Sequence, residues 1–379
     1  MMVRLSELVR STGDRAGADV SLPVYSVTKH RGFVPSLEYF SKRVFGKDLQ
    51  RYKVVEPGQF AYATIHLDEG SIGIAPERAL VSPMYTVFQA DERRVELRYL
   101  LRYLKSPAAL VQYPKFGNGT AERRKSIPLS ALGRLEVPLP PLPEQRRIAA
   151  ILDHADALRQ KRYEQLAFLD EATRRQVQSI LDRALEFRSL KDLLAEPLRN
   201  GVSPSRSGTI EQRVLTLSAI TRGRFDPSQS KIDQFAKLPA DDKWARRGMI
   251  LVCRGNGNAE LVGRMVAVDA IEGDVIFPDT MIASRVSSRI SIPTLLAAWR
   301  TDAVRTQIRA GARTTNGTYK INQQSLGGVL VPVPSAEDQA RIDAIDRERA
   351  VTRAALSASA NGLDALFASI QHRAFRGEP

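Results

Sequence analysis

Two polar, Gly-rich segments expected to be loops hold side chains suited to recognising another polymer: Lys115-Phe-Gly-Asn-Gly-Thr-Ala-Glu-Arg-Arg-Lys125 and Arg309-Ala-Gly-Ala-Arg-Thr-Thr-Asn-Gly-Thr-Tyr-Lys320. An arginine fork can bond guanine bidentately and asparagine can bond adenine, while glycine lets the main chain approach a duplex closely. Both segments therefore suit base reading combined with phosphate clamping. The candidate contacts are Lys115, Asn118, Thr120, Arg123, Arg124 and Lys125 in the first, and Arg313, Thr314, Thr315, Asn316, Thr318 and Lys320 in the second. Arg313 and Asn316 are expected at bases and Lys320 at phosphate. A second candidate pair is Lys29 and Arg31 with Arg222 and Arg224, and a third group is Arg254, Asn256 and Asn258, directly after the apolar run that ends at Cys253.

Chemistry beyond binding finds no signature. There is no Gly-x-x-x-x-Gly-Lys-Ser/Thr, Gly-x-Ser-x-Gly or His-Glu-x-x-His, and no Gly-x-Gly-x-x-Gly opening a helix after a strand. His30, His66, His154 and His372 are scattered without metal-ligand spacing. Pro278-Asp279 is followed by no Glu-x-Lys that would make a nuclease centre. The expectation is a chain with no catalytic residues, no metal site and no cofactor of its own. The lone Cys253 can form neither an intrachain disulfide nor a thiolate zinc site, as expected in a reducing compartment. The N-terminus lacks the apolar core of a signal peptide and no apolar run reaches membrane-spanning length, so a cytoplasmic protein without a membrane partner is expected.

The elements that must position these side chains come in two copies. Ile127–Ile151 reappears as Ile321–Ile345 at a constant offset of 194, with 11 of 25 positions identical. Each copy leads into a helical pattern that predicts a long rod. From Pro143 to about Phe187 there is neither Gly nor Pro, and Ile148, Ile151, Leu152, Ala155 and Leu158 recur at helical spacing. From about Ser335 to Phe375, Ile342, Ile345, Thr352, Leu356, Ser359, Leu363, Leu366 and Ile370 make a heptad seam that Arg349 interrupts. Before each rod lie short β-like runs, such as Gln59–His66 and Met249–Cys253, and short helices at Val95–Lys105 and Pro293–Ile308.

Charge follows the same division. The chain carries 56 basic and 42 acidic residues, a formal charge of +14. Residues 1–143 hold 21 basic against 14 acidic, and residues 189–334 hold 20 against 13, while the two helical segments are nearly neutral. Two equally basic domains held by neutral rods imply an anionic polymer as partner, with nucleic acid foremost. The fold class expected is α+β: two globular α/β domains joined by two long antiparallel coiled-coil helices, with an internal pseudo-twofold repeat. The segments are 1–142 and 188–334 for the domains, and 143–187 and 335–379 for the helices.

Val137-Pro-Leu-Pro-Pro-Leu-Pro-Glu-Gln-Arg-Arg-Ile148, opening a long charged helix, resembles the framework region of the specificity (S) subunits of type I restriction–modification systems. Its second copy is Val331-Pro-Val-Pro-Ser-Ala-Glu-Asp-Gln-Ala-Arg-Ile342, where Ser335 and Ala336 replace Pro-Leu, and the ending Leu366–Gly377 is also similar to the family's C-terminus. The resemblance implies two target recognition domains, each reading half of an asymmetric bipartite DNA site, and helices that space them and dock two methyltransferase (M) subunits. It implies S-adenosylmethionine bound by the methyltransferase, and leaves open whether restriction (R) subunits are further partners. Two alternatives stay open on the residues alone: a coiled-coil DNA-binding scaffold or regulator without a methyltransferase, and a nuclease with a dispersed acidic site.

Overall fold

The computed structural model describes residues 1–17, 21–29, 31–40, 45–46, 48–65, 67–117, 126–205, 207–315 and 317–376. They fold as two compact units. The first comprises Met1–Tyr163 with Ala358–Pro379, the second Glu164–Ser357, so each holds one globular domain and part of each long helix.

In the first unit the central sheet is antiparallel, with strand order Val9–Thr12, Tyr85–Ala90, Phe60–Ala63, Ile72–Ile74. Side chains of a strand alternate between its faces, and Phe60 and Tyr62 enter one core while Ala61 enters another. A strand buried on both faces must be apolar throughout, which is why this run reads as continuous rather than alternating. A hairpin of Tyr25–Thr28 and Gly32–Pro35 stands beside it, and Met2–Arg4 pairs with Glu136–Pro138 next to the start of the first long helix.

The second unit repeats this plan. Its sheet has the order Arg199–Asn200, Met281–Arg285, Met249–Cys253, Met265–Ala267, again antiparallel. Ile250 and Val252 face one core, and Met249, Leu251 and Cys253 face the other. Burial pushes the Cys253 thiol up to about 11, so it behaves as a small hydrophobe. The counterpart hairpin is Ile210–Leu215 with Ser230–Phe235, and Glu186–Ser189 pairs with Leu330–Val333, the framework strand 194 positions after Glu136–Pro138.

The long helices are Leu142–Leu181 and Ala336–Arg376. The first ends six residues before Phe187, which lies in the Glu186–Ser189 strand. Helical spacing could not mark that end, because no Gly or Pro stops the pattern there. The single helix expected over Pro293–Ile308 is two, Ile292–Ala298 and Asp302–Gly311. Trp299 closes the first, donating from Nε1 to the Gly263 carbonyl at 2.7 Å, and Thr301-Asp302 opens the second. Among the described residues no helix is long and apolar enough to cross a membrane, and no group of His, Cys, Asp or Glu could hold a metal ion. His154 and His372 are exposed on the long helices, while His30 and His66 lie outside the described residues.

Within each unit the helices meet. In the second, Asp170 bonds Arg349 and Arg353, and Arg183 approaches Asp338 at 3.8 Å, so partner numbers fall on one helix as they rise on the other and the two run antiparallel. In the first, Ile148 and Leu152 share a core with Phe367, Ile370 and Phe375, and Arg159 bonds Asp364.

Candidate nucleic-acid interface

The segment expected as a loop over Arg309–Lys320 is not one. Residues 309–311 finish the helix Asp302–Gly311, and Arg309 is fastened there to Glu260 at 3.2 Å. The rest is a tight β-hairpin, Arg313–Thr315 against Thr318–Lys320, in the register Arg313 with Lys320, Thr314 with Tyr319 and Thr315 with Thr318. Gly317 turns it with φ of 74°, a left-handed conformation that glycine adopts without strain. The signal was in the sequence: Asn-Gly between short β-branched runs favours a two-residue hairpin turn.

A third strand completes the ribbon. Gly255 and Asn256 pair with Lys320 and Tyr319, and Ile321 N–H donates to the Arg254 carbonyl at 2.9 Å. Two segments singled out separately, Arg254–Asn258 and Arg313–Lys320, are thus one surface. Gly255 permits the approach, since a Cβ there would lie 3.1 Å from Lys320 Cγ.

Strand alternation sorts the side chains. Arg313, Thr318 and Lys320 share one face of the hairpin, while Thr314 and Tyr319 share the other, where Tyr319 packs on the core of this unit. Arg313 and Lys320 are exposed, and neither makes a side-chain hydrogen bond or ion pair among the described residues. A two-stranded ribbon has the width to enter a DNA major groove. Arg254 is occupied differently: its Nη1 donates to the Asp279 carbonyl at 3.1 Å, so it supports the ribbon from below. Asn256 and Asn258 spend their side-chain oxygens on the backbone N–H groups of Asn258 and Glu260. Asn316 lies outside the described residues, as does the side chain of Thr315.

Arg222 and Arg224 are exposed on the connection between the strands of the Ile210–Phe235 hairpin, around Gly223 with φ of 82°. Arg264 donates to the Thr221 carbonyl at 2.5 Å and Arg300 to the Gly223 carbonyl at 3.1 Å, holding this connection. Lys29 and Arg31 are exposed at the tip of the corresponding hairpin in the first unit, where Arg31 lies 5.8 Å from the Tyr39 ring. Lys115 is exposed on the single turn Tyr113–Phe116. Asn118, Thr120, Arg123, Arg124 and Lys125 lie outside the described residues.

What aims these edges is a residue whose role the spacing did not disclose. Gln145, fully buried on the first long helix, accepts the Glu96 N–H at 2.8 Å and donates to the carbonyls of Arg94 at 3.1 Å and Pro140 at 2.8 Å. Gln339, 194 positions later, accepts the Ser291 N–H at 3.0 Å and donates to the carbonyls of Arg289 at 3.2 Å and Pro334 at 3.1 Å. Glu96 and Ser291 are the N-caps of the helices Leu97–Leu104 and Ile292–Ala298. In each unit the framework glutamine therefore clamps a domain helix to a long helix. Arg102 reinforces the first clamp by bridging Asp153 and Asp156, both at 2.8 Å, and Ser291 the second by donating to Asp343 at 2.6 Å.

Residues 51–167 match the family model described as the type I restriction modification DNA specificity domain. Over the whole chain the fold is similar to a solved chain from work on complex assembly and conformational transition of the type I R-M system, at 17% identity and a TM-score of 0.61, covering 100% of this chain and 98% of that one. It is also similar to the type I restriction–modification S subunit from M. genitalium, at 13% identity and a TM-score of 0.54, covering 99% and 96%. The HsdS subunit from Thermoanaerobacter tengcongensis aligns at 18% identity over 100% and 97%, with a TM-score of 0.41. No curated protein matches the sequence. Residues 51–167 thus carry the match to the type I restriction modification DNA specificity domain, and the framework strand pair of that unit is built again in the other.

Proposed function

We propose that the chain reads an asymmetric bipartite site in double-stranded DNA, with the domain of residues 1–142 on one half-site and that of residues 188–334 on the other. The observation that carries this reading is the contrast between framework and edge. The glutamine clamp, the framework strand pair and the sheet order occur twice, whereas the polar segments differ in sequence, Lys115–Lys125 in one domain and Arg313–Lys320 in the other. Equal supports with unequal reading edges suit two different half-sites. The basic excess, shared equally by the two domains, supplies the phosphate attraction.

The long helices, 143–187 and 335–379, act in this proposal as an antiparallel coiled-coil spacer and as the dock for two methyltransferase subunits. Large apolar side chains stand exposed on them: Leu158 and Leu366 in the first unit, Phe168 and Val351 in the second. These side chains are the apolar surface the helices offer a partner. The methyl transfer and its S-adenosylmethionine belong to that partner. The test is co-expression with a methyltransferase encoded beside this chain, purification of the complex and sequencing of methylated sites. A two-part motif modified only when both chains are present is expected; methylation by this chain alone, given S-adenosylmethionine, would overturn the division of labour.

A further inference from the structure

The repeat extends to a contact that no reading edge uses. In the first unit Arg159 Nε donates to Asp364 Oδ1 at 2.6 Å, and the Tyr163 hydroxyl donates to Oδ2 at 2.5 Å. The same guanidinium reaches Asp156 at 3.0 Å and lies 4.5 Å from the Phe367 ring centroid. In the second unit Asp170 takes both Arg353 and Arg349, the latter at 3.4 Å and itself held by Asp346 at 3.0 Å. Arg159 and Arg353 stand 194 apart, as do Asp170 and Asp364. Asp170 follows Arg159 by eleven residues on the first helix, and Arg353 precedes Asp364 by eleven on the second. Eleven residues are about three helical turns, so the two contacts report one and the same antiparallel register.

Apolar packing on the second helix does little to fix that register midway. Between Arg353 and Asp364 the second helix reads Ala-Ala-Leu-Ser-Ala-Ser-Ala-Asn-Gly-Leu, mostly side chains too small to act as knobs in holes. Apolar burial is non-directional and tolerates a slide that repacks, whereas polar residues in a seam penalise wrong alignments. A slip of about one turn, near four residues, would bring Arg159 level with Ala360 or Ala368, and Asp364 level with Ala155 or Tyr163. Both partners of the Arg159–Asp364 pair keep a quarter to a third of their surface in solvent. Such a pair adds little stability; its effect is to select among alignments. Arg349, which interrupts the apolar seam, has its reason here.

We infer that the Arg159–Asp364 and Arg353–Asp170 pairs are register latches: positioning residues that fix the gap between the two half-sites while touching no DNA. The inference rests on the bipartite reading above. The experiment uses the full chain co-expressed with its methyltransferase partner, and counts methylated genomic sites by gap length. The parent should keep one gap. Neutralising both latches, by Asp170→Asn with Asp364→Asn, should let gaps one or two base pairs shorter and longer be modified, lowering the preference by about tenfold or more while half-site sequences stay unchanged. Arg159→Asp alone should loosen the gap in the same way, and adding Asp364→Arg, which reverses the pair, should tighten it again. The inference falls if the doubly neutralised chain keeps the parent's gap preference, or if the reversed pair fails to restore what Arg159→Asp loses. If the neutralised chain modifies nothing, the reversed pair decides. A parent that shows no fixed gap would instead defeat the bipartite reading.

Discussion

Gln145 has no surface in contact with water, so each of its three hydrogen bonds replaces one that solvent cannot supply. Gln145→Met keeps the volume and removes the bonds, leaving the Glu96 N–H and two carbonyls without their partner. The expected cost is about 1–3 kcal/mol, read as a lower urea midpoint; an unchanged midpoint would remove the clamp from the account. The identity of Gln145 and Gln339 at one offset was plain in the sequence, but their partners were not, because Arg94 and Glu96 lie about fifty positions away and offer only main-chain atoms. Arg313 and Lys320 share one face of the ribbon, yet their effects should differ. Arg313→Ala should cost about 1–3 kcal/mol and relax one base of one half-site, and Lys320→Ala should weaken all sequences alike and reduce the salt slope by about one unit. Binding titrations over a set of single-base variants and salt concentrations separate the two, and equal effects of both changes would contradict the assignment. Cys253, its thiol pushed up to about 11 by burial, stays neutral at neutral pH. It should resist thiol reagents until the chain is denatured, and labelling of the folded protein at the rate of a free cysteine would disprove its burial.

At the scale of elements, the sequence disclosed what is periodic and hid what is short. The long helices, the buried strand Met249–Cys253 and the helix Leu97–Leu104 were legible because each sustains one apolar pattern over its length. The strands of the ribbon were not, since Arg-Thr-Thr and Thr-Tyr-Lys are too brief and too polar to show alternation, although Asn-Gly between them signalled the turn. Nor could any local pattern announce that Gly255-Asn256 would join it from sixty positions upstream. That construction makes a prediction. Gly317 has open space around its Cα but a φ of 74°, so a side chain there meets backbone strain and not a clash. Gly317→Val should cost about 1–2 kcal/mol, paid in the ribbon alone. Recognition of the second half-site should weaken while the first half-site keeps its sequence. Loss of both halves together would mean that the strain spreads through the unit, and no change in either would remove the hairpin from the reading surface.

At the scale of the molecule, each long helix contributes residues to both units, from Ile148 and Leu152 in the first to Val177 and Ile180 in the second. Length added to one helix between those positions has to be absorbed somewhere. Four residues inserted near Ala172 add about 6 Å and turn the helix through roughly one full revolution and a further 40°. The apolar face of Val177, Ile180 and Leu181 therefore returns close to its former direction, and the cluster it makes with Ile342 can re-form one turn along. The change should appear as spacing and not as unfolding: at about 3.4 Å per base pair along a strand, the gap between half-sites should shift by one or two base pairs with the half-site sequences intact. Sequencing methylated sites in cells carrying the insertion measures this directly. A retained gap at normal activity would mean that the helices hold the domains without measuring the distance between them, and spacing would then have to be sought in the partner subunits.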